Sequence, residues 1–450
     1  MRDMTEGRAS KLILAFTLPM FVGNLFQQLY NMVDSAVVGR FVGPNALAAV
    51  GTSFPIIFVL ISLVFGLTMG SGVIVSQFFG AKQYEQVRRA VSTALTFLLV
   101  GSLLVSVIGL LLSRPLLTLL RVPAEIIEDS ATYMRIFFSG LIFMFAYNSF
   151  AGILRSLGDS KTPLYFLIVA TVVNIVLDVY FVARLGWGVA GVAWATLIAQ
   201  ATSAVLCLIY TQKKVPLLRF KRTDWVFDVE IFKTMIRLGI PSSLQQTVVS
   251  MSMMAVQGLV NSFGSVTMAA FTAAGRIDSL NMMPLQSFSM ALSTYVGQNV
   301  GANRLERVSE GLRATLKMVF VSCLLVSLIV FMFGPQLIQI FIDGSETEVI
   351  RQGVDYMRTV SIFYICFGVL MVMGGLLRGA GDAVFPMIAS ITSLLIRVAS
   401  AYWLASLPGL GYRGIWWAIP IGWTVGATIP ITRYLTGGWK AKAVVRQLAS

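Results

Sequence analysis

The first apolar segment of the chain, residues 12–39, constrains the fold more than any other stretch. It reads LILAFTLPMFVGNLFQQLYNMVDSAVVG and is long enough to cross a bilayer, for which about 20 apolar residues suffice. A charged side chain at the bilayer centre costs at least ~2.5 kcal/mol, yet this segment contains Asp34. We therefore predict that Asp34 faces a protein-lined, partly wet cavity and takes part in moving an ion or a proton. The alternative is a helix-end residue that reaches the membrane surface, since Arg40 follows shortly after. The other polar or helix-bending residues of the segment are Pro19, Asn24, Gln27, Gln28 and Asn31.

The composition indicates a polytopic membrane protein. The chain has 450 residues, of which 57% are hydrophobic and only 12% charged, whereas soluble proteins are about 25% charged. The net charge of +14 does not indicate nucleic-acid binding, because the basic residues lie between apolar segments rather than on one soluble domain. The sequence has no histidine, which excludes histidine proton relays and histidine metal sites. The three cysteines lie in apolar segments and are predicted to be small core residues: Cys207, Cys323 and Cys366.

Twelve apolar spans can be counted, so the predicted fold is all-α with twelve transmembrane helices. Most connections are short, but residues 212–237 form a basic linker with a predicted surface helix between lobes at 1–211 and 238–450. Most Lys and Arg residues fall on the side of the N-terminus, which predicts that both termini lie in the cytoplasm. The spans are 12–39, 46–79, 91–112, 136–154, 162–183, 189–211, 238–261, 266–297, 314–333, 356–377, 384–406 and 414–436.

The chain contains an internal repeat with an offset of 221 to 223 residues. The segment 152–159, GILRSLGD, matches 375–382, GLLRGAGD. Six spans is an even number, so both copies enter the membrane in the same sense. This predicts two six-helix lobes related by a pseudo-two-fold axis along the membrane normal, with a cavity between them. The shared Leu-Arg-x-x-Gly-Asp loops are interpreted as helix stops rather than substrate-handling residues. Further matched pairs are Pro19 with Pro241, Gln77 with Gln298, Tyr133 with Tyr356, and Pro163 with Pro386.

Acidic residues are rare inside the spans, which contain only Asp34, Asp178 and Asp278. Asn174 precedes Asp178 by four residues, so both lie on one helix face. The positions that match Asp34 and Asp178 in the second copy carry no acid, so only the first copy has this pair of acids. Two neighbouring buried carboxylates cannot easily both be charged, and one of them is expected to hold a proton. The N-terminal acids are thus predicted to form a proton-accepting site.

Asp278 differs from the other two acids because Arg276 precedes it by two residues and Arg397 is also embedded in a span. We predict a structural ion pair between Arg276 and Asp278. The sequence contains no nucleotide-binding loop, no HExxH motif and no Ser/His or Cys/His pair, so it does not predict an enzyme, a cofactor or a metal site.

Three stretches make the chain resemble the multidrug and toxic compound extrusion (MATE) family, and within it the prokaryotic DinF branch: PMFVGNLFQQLYNMVDSAVVGRFVG at 19–43, LRSLGDSKTP at 154–163, and NIVLD at 174–178. The resemblance covers essentially the whole chain. It implies polar residues in the N-terminal lobe that handle the coupling ion or line a cavity. These are Asp34, Asn174 and Asp178 and, less directly, Tyr133, Asn148 and Thr196. Asn31 and Gln28 of the first segment are further candidates for lining a cavity or contacting the substrate. Another branch of the family uses acids on spans 7 and 10, and neither span has an acid here.

The resemblance implies an antiporter of the inner (plasma) membrane that expels cationic or amphipathic small molecules in exchange for inward protons, with sodium as the second possibility. We expect the protein to be a monomer. Pro19 weakens the first helix by freeing a backbone carbonyl and is interpreted as a hinge or as a static kink. A lipid-linked oligosaccharide flippase of the same superfamily is the main alternative, but it should line its cavity with more basic residues. A membrane-embedded enzyme is a remote alternative.

Overall fold

The computed structural model describes residues 2–219 and 225–447, and this part of the chain is helical without a β-strand. The surface helix predicted in the linker lies partly at residues 220–224, outside the described residues. On either side of that gap, a short 3₁₀ turn spans Pro216–Leu218 and the next helix begins at Val229.

Fifteen helices follow one another along the described residues. In the first half they are α1 (Ala9–Phe41), α2 (Pro44–Gly80), α3 (Tyr84–Leu119), α4 (Ile127–Ser139), α5 (Leu141–Ser156), α6 (Lys161–Asp178) and α7 (Gly188–Lys214). In the second half they are α8 (Val229–Asn261), α9 (Ser265–Gly301), α10 (Leu305–Gln339), α11 (Thr347–Ser361), α12 (Tyr364–Gly379), α13 (Val384–Ser406), α14 (Tyr412–Leu435) and α15 (Val444–Gln447).

Eight of the described helices are long and apolar enough to cross a membrane, and two bent helix pairs raise the number to ten. The bent pairs are α4 with α5, at 47°, and α11 with α12, at 49°. Each pair corresponds to one span predicted from the sequence. The two remaining predicted spans are α8 and α9, which are less apolar because they carry many serines, threonines and amides.

The chain divides into two compact units whose boundaries lie within helices. Unit 1 contains Leu18–Ile240 together with the first three residues, and unit 2 contains Met4–Thr17 and Pro241–Ser450. The division therefore cuts α1 just before Pro19 and α8 just before Pro241. A proline inside a helix removes one backbone hydrogen bond, so both helices are weakened where they pass from one unit to the other.

In unit 1 the bend between α4 and α5 is centred on Gly140. A Cβ atom there would lie 2.7 Å from Leu197 Cγ, so only a glycine lets α7 pack this closely against the bend. The adjoining core consists of buried side chains from α2 to α5, including Leu98, Met134 and Phe138. This packing fixes the position of α4, which carries Tyr133.

The two Leu-Arg-x-x-Gly-Asp loops end helices in both units. In unit 1, Asp159 Oδ1 accepts hydrogen bonds from the backbone N–H groups of Lys161 and Thr162 and so caps the start of α6. In unit 2, Asp382 instead forms a buried ion pair with Arg433, with Oδ2 2.8 Å from Nε. The loops therefore position helices.

Candidate functional site

Four helices of unit 1 bring polar side chains together inside the protein. Asp34 lies on α1, Asn174 and Asp178 on α6, Thr196 on α7 and Tyr133 on α4. Asn174 and Asp178 are fully buried, and Asp34 is half-buried. With Tyr30 of α1, described below, these residues are called the unit 1 cluster.

The Asn174 amide links the two acids. Its nitrogen points toward the carboxylates, because this orientation pairs a donor with acceptors, and lies 2.9 Å from Asp34 Oδ1 and 3.2 Å from Asp178 Oδ2. The four-residue spacing on α6 places Asn174 one turn before Asp178, on the same face. The two carboxyl groups also lie close to each other. A direct hydrogen bond between two carboxyl groups requires a proton on one of them, so this arrangement suits a pair that holds one proton.

Tyr30 is a member of the cluster that the sequence interpretation missed. It is fully enclosed one turn before Asp34 and lies close to both carboxylates, to Tyr133 and to Thr196. Its four-residue spacing from Asp34 is the signal that could have identified it.

Three oxygen atoms of the cluster are buried without a well-formed hydrogen bond: Asp178 Oδ1, Tyr30 Oη and Thr196 Oγ1. Gln200 Oε1, one turn after Thr196 on α7, is also buried without a well-formed hydrogen bond. Buried polar atoms are usually paired, so several unpaired oxygens in one place indicate a site that receives a proton, a water molecule or a cation.

The backbone after Asp178 is unusual. The α-helix ends at this residue and continues as a π-helical turn over Val179–Arg184. Such turns are frequent at functional sites, where the wider turn changes the direction of the neighbouring side chains. Phe181 in this turn stacks on Trp187 with a ring separation of 4.9 Å, which holds the end of α6 against the start of α7.

The remaining residues predicted for the cavity do not join the cluster by a described hydrogen bond. Asn148 donates to the Met144 carbonyl of its own helix at 2.8 Å. Asn31 is exposed, and its backbone carbonyl accepts a hydrogen bond from Ser35. Gln28 is half-buried on α1.

The predicted ion pair between Arg276 and Asp278 does not form in the described structure. Asp278 instead accepts a hydrogen bond from Tyr356 Oη at 2.8 Å on Oδ2, and one from Tyr364 Oη on Oδ1. The Arg276 guanidinium lies 5.6 Å from the centre of the Phe341 ring. Two residues along a helix point about 200° apart, so Arg276 faces away from Asp278.

Among the described residues, no group of three or more His, Cys, Asp or Glu side chains could hold a metal ion. The unit 1 cluster has two acids, with amide and hydroxyl groups around them.

Among the described residues, the helices with many apolar spans, the internal repeat and the acid pair are typical of a membrane transporter built from two related halves. A family model described as MatE matches the chain twice, over residues 19–180 and 241–403. The chain belongs to the MatE family of transporters. The resemblance inferred from the sequence is confirmed, and with it the expectation of a transporter rather than an enzyme.

Curated relatives match along their whole length. The chain is 31% identical to the probable multidrug resistance protein YoeA of Bacillus subtilis (strain 168), over 96% of this chain and 94% of that protein. It is also 31% identical to the probable multidrug resistance protein YpnP of the same organism, over 98% of each.

Solved structures agree with this assignment. A MATE protein in the straight conformation has 27% identity and a TM-score of 0.90, covering 98% of each chain. The outward-facing conformation of a multidrug resistance MATE family transporter of the MOP superfamily has the same identity and TM-score. The predicted fold, twelve transmembrane helices in two six-helix lobes, is confirmed by this likeness.

Proposed function

We propose that this protein is a secondary active multidrug efflux antiporter that exports cationic or amphipathic small molecules in exchange for inward protons. The observation that carries the proposal is the buried pair of Asp34 and Asp178, linked by the Asn174 amide within apolar helices. The names of the relatives, which include probable multidrug resistance proteins, support the class of substrate.

The acid pair can couple the binding of a proton to the export of the drug. With both carboxylates charged, their repulsion and their need for water favour an open, hydrated arrangement of α1 and α6. Binding a proton removes one charge and allows the carboxyl groups to share a hydrogen bond, which favours a closer packing of the two helices. A ligand shifts such an equilibrium only through its different affinities for the two arrangements, and the proton meets this condition here. The repacking would narrow the cavity of the N-terminal lobe and release the drug.

The close approach of the two carboxyl groups favours protons over sodium, because a pair that shares one proton needs no further ligand. A hard cation is bound by carboxylate, carbonyl and hydroxyl oxygens. Beside charged carboxylates, the Asn174 amide is assigned with its nitrogen toward the two acids. Beside a bound sodium ion, its oxygen would take that place and join Asp34, Asp178 and Thr196 as ligands.

Pro19 is proposed as the compliant point of α1. It lies within α1, where the helix passes from one compact unit to the other. Among the similar solved structures are a MATE protein in bent and straight conformations and a proline-to-alanine mutant of a MATE protein. Those structures are of other proteins, and they support testing the same property here. Gln28, Asn31, Tyr133, Asn148 and Thr196 are proposed to line the cavity or contact the substrate.

The proposed topology places both termini in the cytoplasm of a plasma-membrane monomer. It consists of a first lobe over 1–211, a basic cytoplasmic linker over 212–237 and a second lobe over 238–450. This topology can be tested by introducing single cysteines into the linker and into the loop between α1 and α2. The cysteines are then labelled with a reagent that does not cross the membrane. Linker labelling in intact cells would contradict the orientation.

The decisive experiment for function is dye efflux from proteoliposomes that contain the purified protein. A lipophilic cationic dye should leave against its gradient when a pH gradient is imposed, and an uncoupler should abolish the efflux. A sodium gradient at clamped pH should give no efflux. Equal dye content in liposomes with and without the protein, across several dyes, would contradict the proposal.

A lipid flippase is the second candidate, but the embedded arginines Arg276 and Arg397 are fewer than a cavity for a pyrophosphate headgroup is expected to need. One similar structure is that of a MOP superfamily transporter from Pyrococcus furiosus, in which a binding pocket of reverse polarity suggests a different function. Translocation of a fluorescent pyrophosphate-linked lipid in the same liposomes, without dye efflux, would favour the flippase.

A further inference from the structure

The arginine of the Leu-Arg-x-x-Gly-Asp loop in unit 2 has no acidic partner among the described residues. Arg378 lies at the end of α12 and is half-buried, and its printed partners are neutral side chains. The acid of the same loop, Asp382, forms its ion pair with Arg433 instead. Charges that are withdrawn from water are usually paired, because their desolvation is costly. The Arg378 guanidinium is therefore a positive charge that the described part of the chain leaves unbalanced.

Neutral polar groups from three other helices surround this charge. Arg378 Nη2 donates a hydrogen bond to Ser289 Oγ on α9 at 3.0 Å, and Nη1 lies 3.5 Å from Gln245 Oε1 on α8. The Gln245 amide nitrogen donates in turn to Ser390 Oγ on α13 at 2.6 Å. The Nε atom of Arg378 is buried without a hydrogen-bond partner. These four side chains, called the Arg378 cluster, can all donate hydrogen bonds to an anion.

The cluster is not a requirement of the fold, because unit 1 lacks part of it. The offsets of the repeat give three matched pairs: Arg378 with Arg155, Gln245 with Gly23, and Ser390 with Leu167. The packing agrees with this alignment, since a Cβ atom at Gly23 would lie 3.8 Å from Leu167 Cδ2, just as Gln245 contacts Ser390. Both units keep the arginine, and only unit 2 places an amide and a hydroxyl group in these two positions. This favours a binding role over a packing role that both units would need.

The cluster lies where a lipid headgroup can reach it. Arg378 is the penultimate residue of α12, and Ser390 lies in the second turn of α13, so the cluster is near the ends of membrane-spanning helices, at the depth of lipid headgroups. Leu244, next to Gln245, is 49% exposed, and Ile388, two residues before Ser390, is 40% exposed. Apolar side chains beside the cluster are therefore free to contact acyl chains. Basic pockets between transmembrane helices are known to bind the phosphate headgroups of anionic lipids.

We propose that the Arg378 cluster binds the phosphate group of a membrane lipid. The fork of N–H groups on the guanidinium matches two phosphate oxygens, and the Gln245 amide and the two serine hydroxyl groups donate to the others. The phosphate balances the arginine charge, and the acyl chains lie against Leu244 and Ile388. This lipid is a resident partner of unit 2 rather than the exported molecule, so the inference goes beyond the proposed function and does not depend on it.

The experiment measures the binding of phosphatidic acid to the purified, delipidated protein in detergent, by mass spectrometry under conditions that keep bound lipids attached. Diacylglycerol with the same acyl chains lacks the phosphate, and inorganic phosphate lacks the chains. The variants are Arg378→Gln and Gln245→Leu. Arg155→Gln is the matched control, because Arg155 is at the corresponding position of unit 1, where glycine replaces the glutamine.

Phosphatidic acid should bind more tightly than diacylglycerol or inorganic phosphate. Arg378→Gln should weaken this binding at least about tenfold, because hydrogen bonds to a charged group are lost. Gln245→Leu should weaken it by a smaller factor, since the charge remains, and Arg155→Gln should keep the wild-type affinity. Wild-type affinity in Arg378→Gln would overturn the inference. Equal losses in Arg378→Gln and Arg155→Gln would also overturn it, because any basic residue at the membrane surface would then attract the lipid.

Three further arms keep the test decisive. If Arg378→Gln does not fold, Gln245→Leu decides, and unchanged affinity in that variant contradicts the inference. If inorganic phosphate displaces the lipid at equal concentration, the site takes free phosphate and the assignment to a lipid fails. Movement of phosphatidic acid across the bilayer of proteoliposomes would make the lipid a substrate and contradict a resident role. Dye efflux in the same proteoliposomes reports separately on the proposed function, so the two failures are distinguishable.

Discussion

The Asn174 amide nitrogen lies 2.9 Å from Asp34 Oδ1 and thereby connects α6 to α1. The same nitrogen also donates to Asp178, so a single side chain is hydrogen-bonded to both acids. Any change in the charge of either acid must alter this hydrogen bond, which places the amide at the point where protonation can affect helix packing.

Asp34→Asn should abolish coupled efflux while leaving the protein folded and inserted. The amide imitates a protonated carboxyl group in shape but cannot release a proton. We expect dye efflux to fall at least about tenfold, the effect of roughly 1.4 kcal/mol on a barrier. Efflux from proteoliposomes of matched protein content measures this, and wild-type efflux by the variant would remove Asp34 from the coupling site.

Asn174→Ala should weaken transport without removing an acid. It deletes the donor shared by Asp34 and Asp178, and a hydrogen bond to a charged group contributes about 1.5–3 kcal/mol. The ratio of drug exported to protons imported should fall, because the two acids no longer respond together. Gln257→Ala is the matched control, since its amide bonds to Asn261 of its own helix and belongs to no proposed site. Equal effects of the two substitutions would argue against a bridging role.

Pro19→Ala should slow turnover more than it weakens drug binding. Alanine restores the backbone hydrogen bond to Ala15 and stiffens α1. Transport rate and dye affinity, measured separately on the same preparation, distinguish this from a lost binding contact. Pro241→Ala, at the matching position of α8, is the comparison that separates a moving hinge from a static kink. If turnover is unchanged in Pro19→Ala, the hinge is excluded and the role of Asp34 is unaffected.

Asp382→Asn should lower the stability of unit 2. The carboxylate is buried against Arg433, whose guanidinium also lies 4.2 Å from the centre of the Phe385 ring. Removing one partner of a buried pair leaves an uncompensated charge, at a cost of about 3 kcal/mol. Thermal unfolding in detergent should show a lower midpoint.

Asp355→Asn is the control for that measurement. It breaks the ion pair with Arg413, which is largely exposed. Such pairs contribute about 0–1 kcal/mol, so the unfolding midpoint should hardly change. A similar fall of the unfolding midpoint in both variants would show that burial does not determine how much an ion pair stabilises this protein.

The sequence by itself determined the class of the protein, its helices and its repeat. Apolar segments of bilayer length can satisfy their backbone groups only as helices, so composition and length sufficed to predict an all-helical membrane protein. The repeat could be found because it depends on residues with special backbone roles, such as the glycines of the two matching loops. The importance of Asp34 and Asp178 followed from the cost of placing a charge in a bilayer.

Tertiary structure alone decided which side chains meet. The contact between Asp34 and Asn174 joins residues on different helices, and helix periodicity does not determine which faces of two helices pack together. For the same reason Tyr30 was missed. Asp278 was assigned the wrong partner because its neighbours in sequence point away from it, while Tyr356 and Tyr364 approach from α11 and α12. Sequence spacing determines which residues share a helix face, and packing determines what that face contacts.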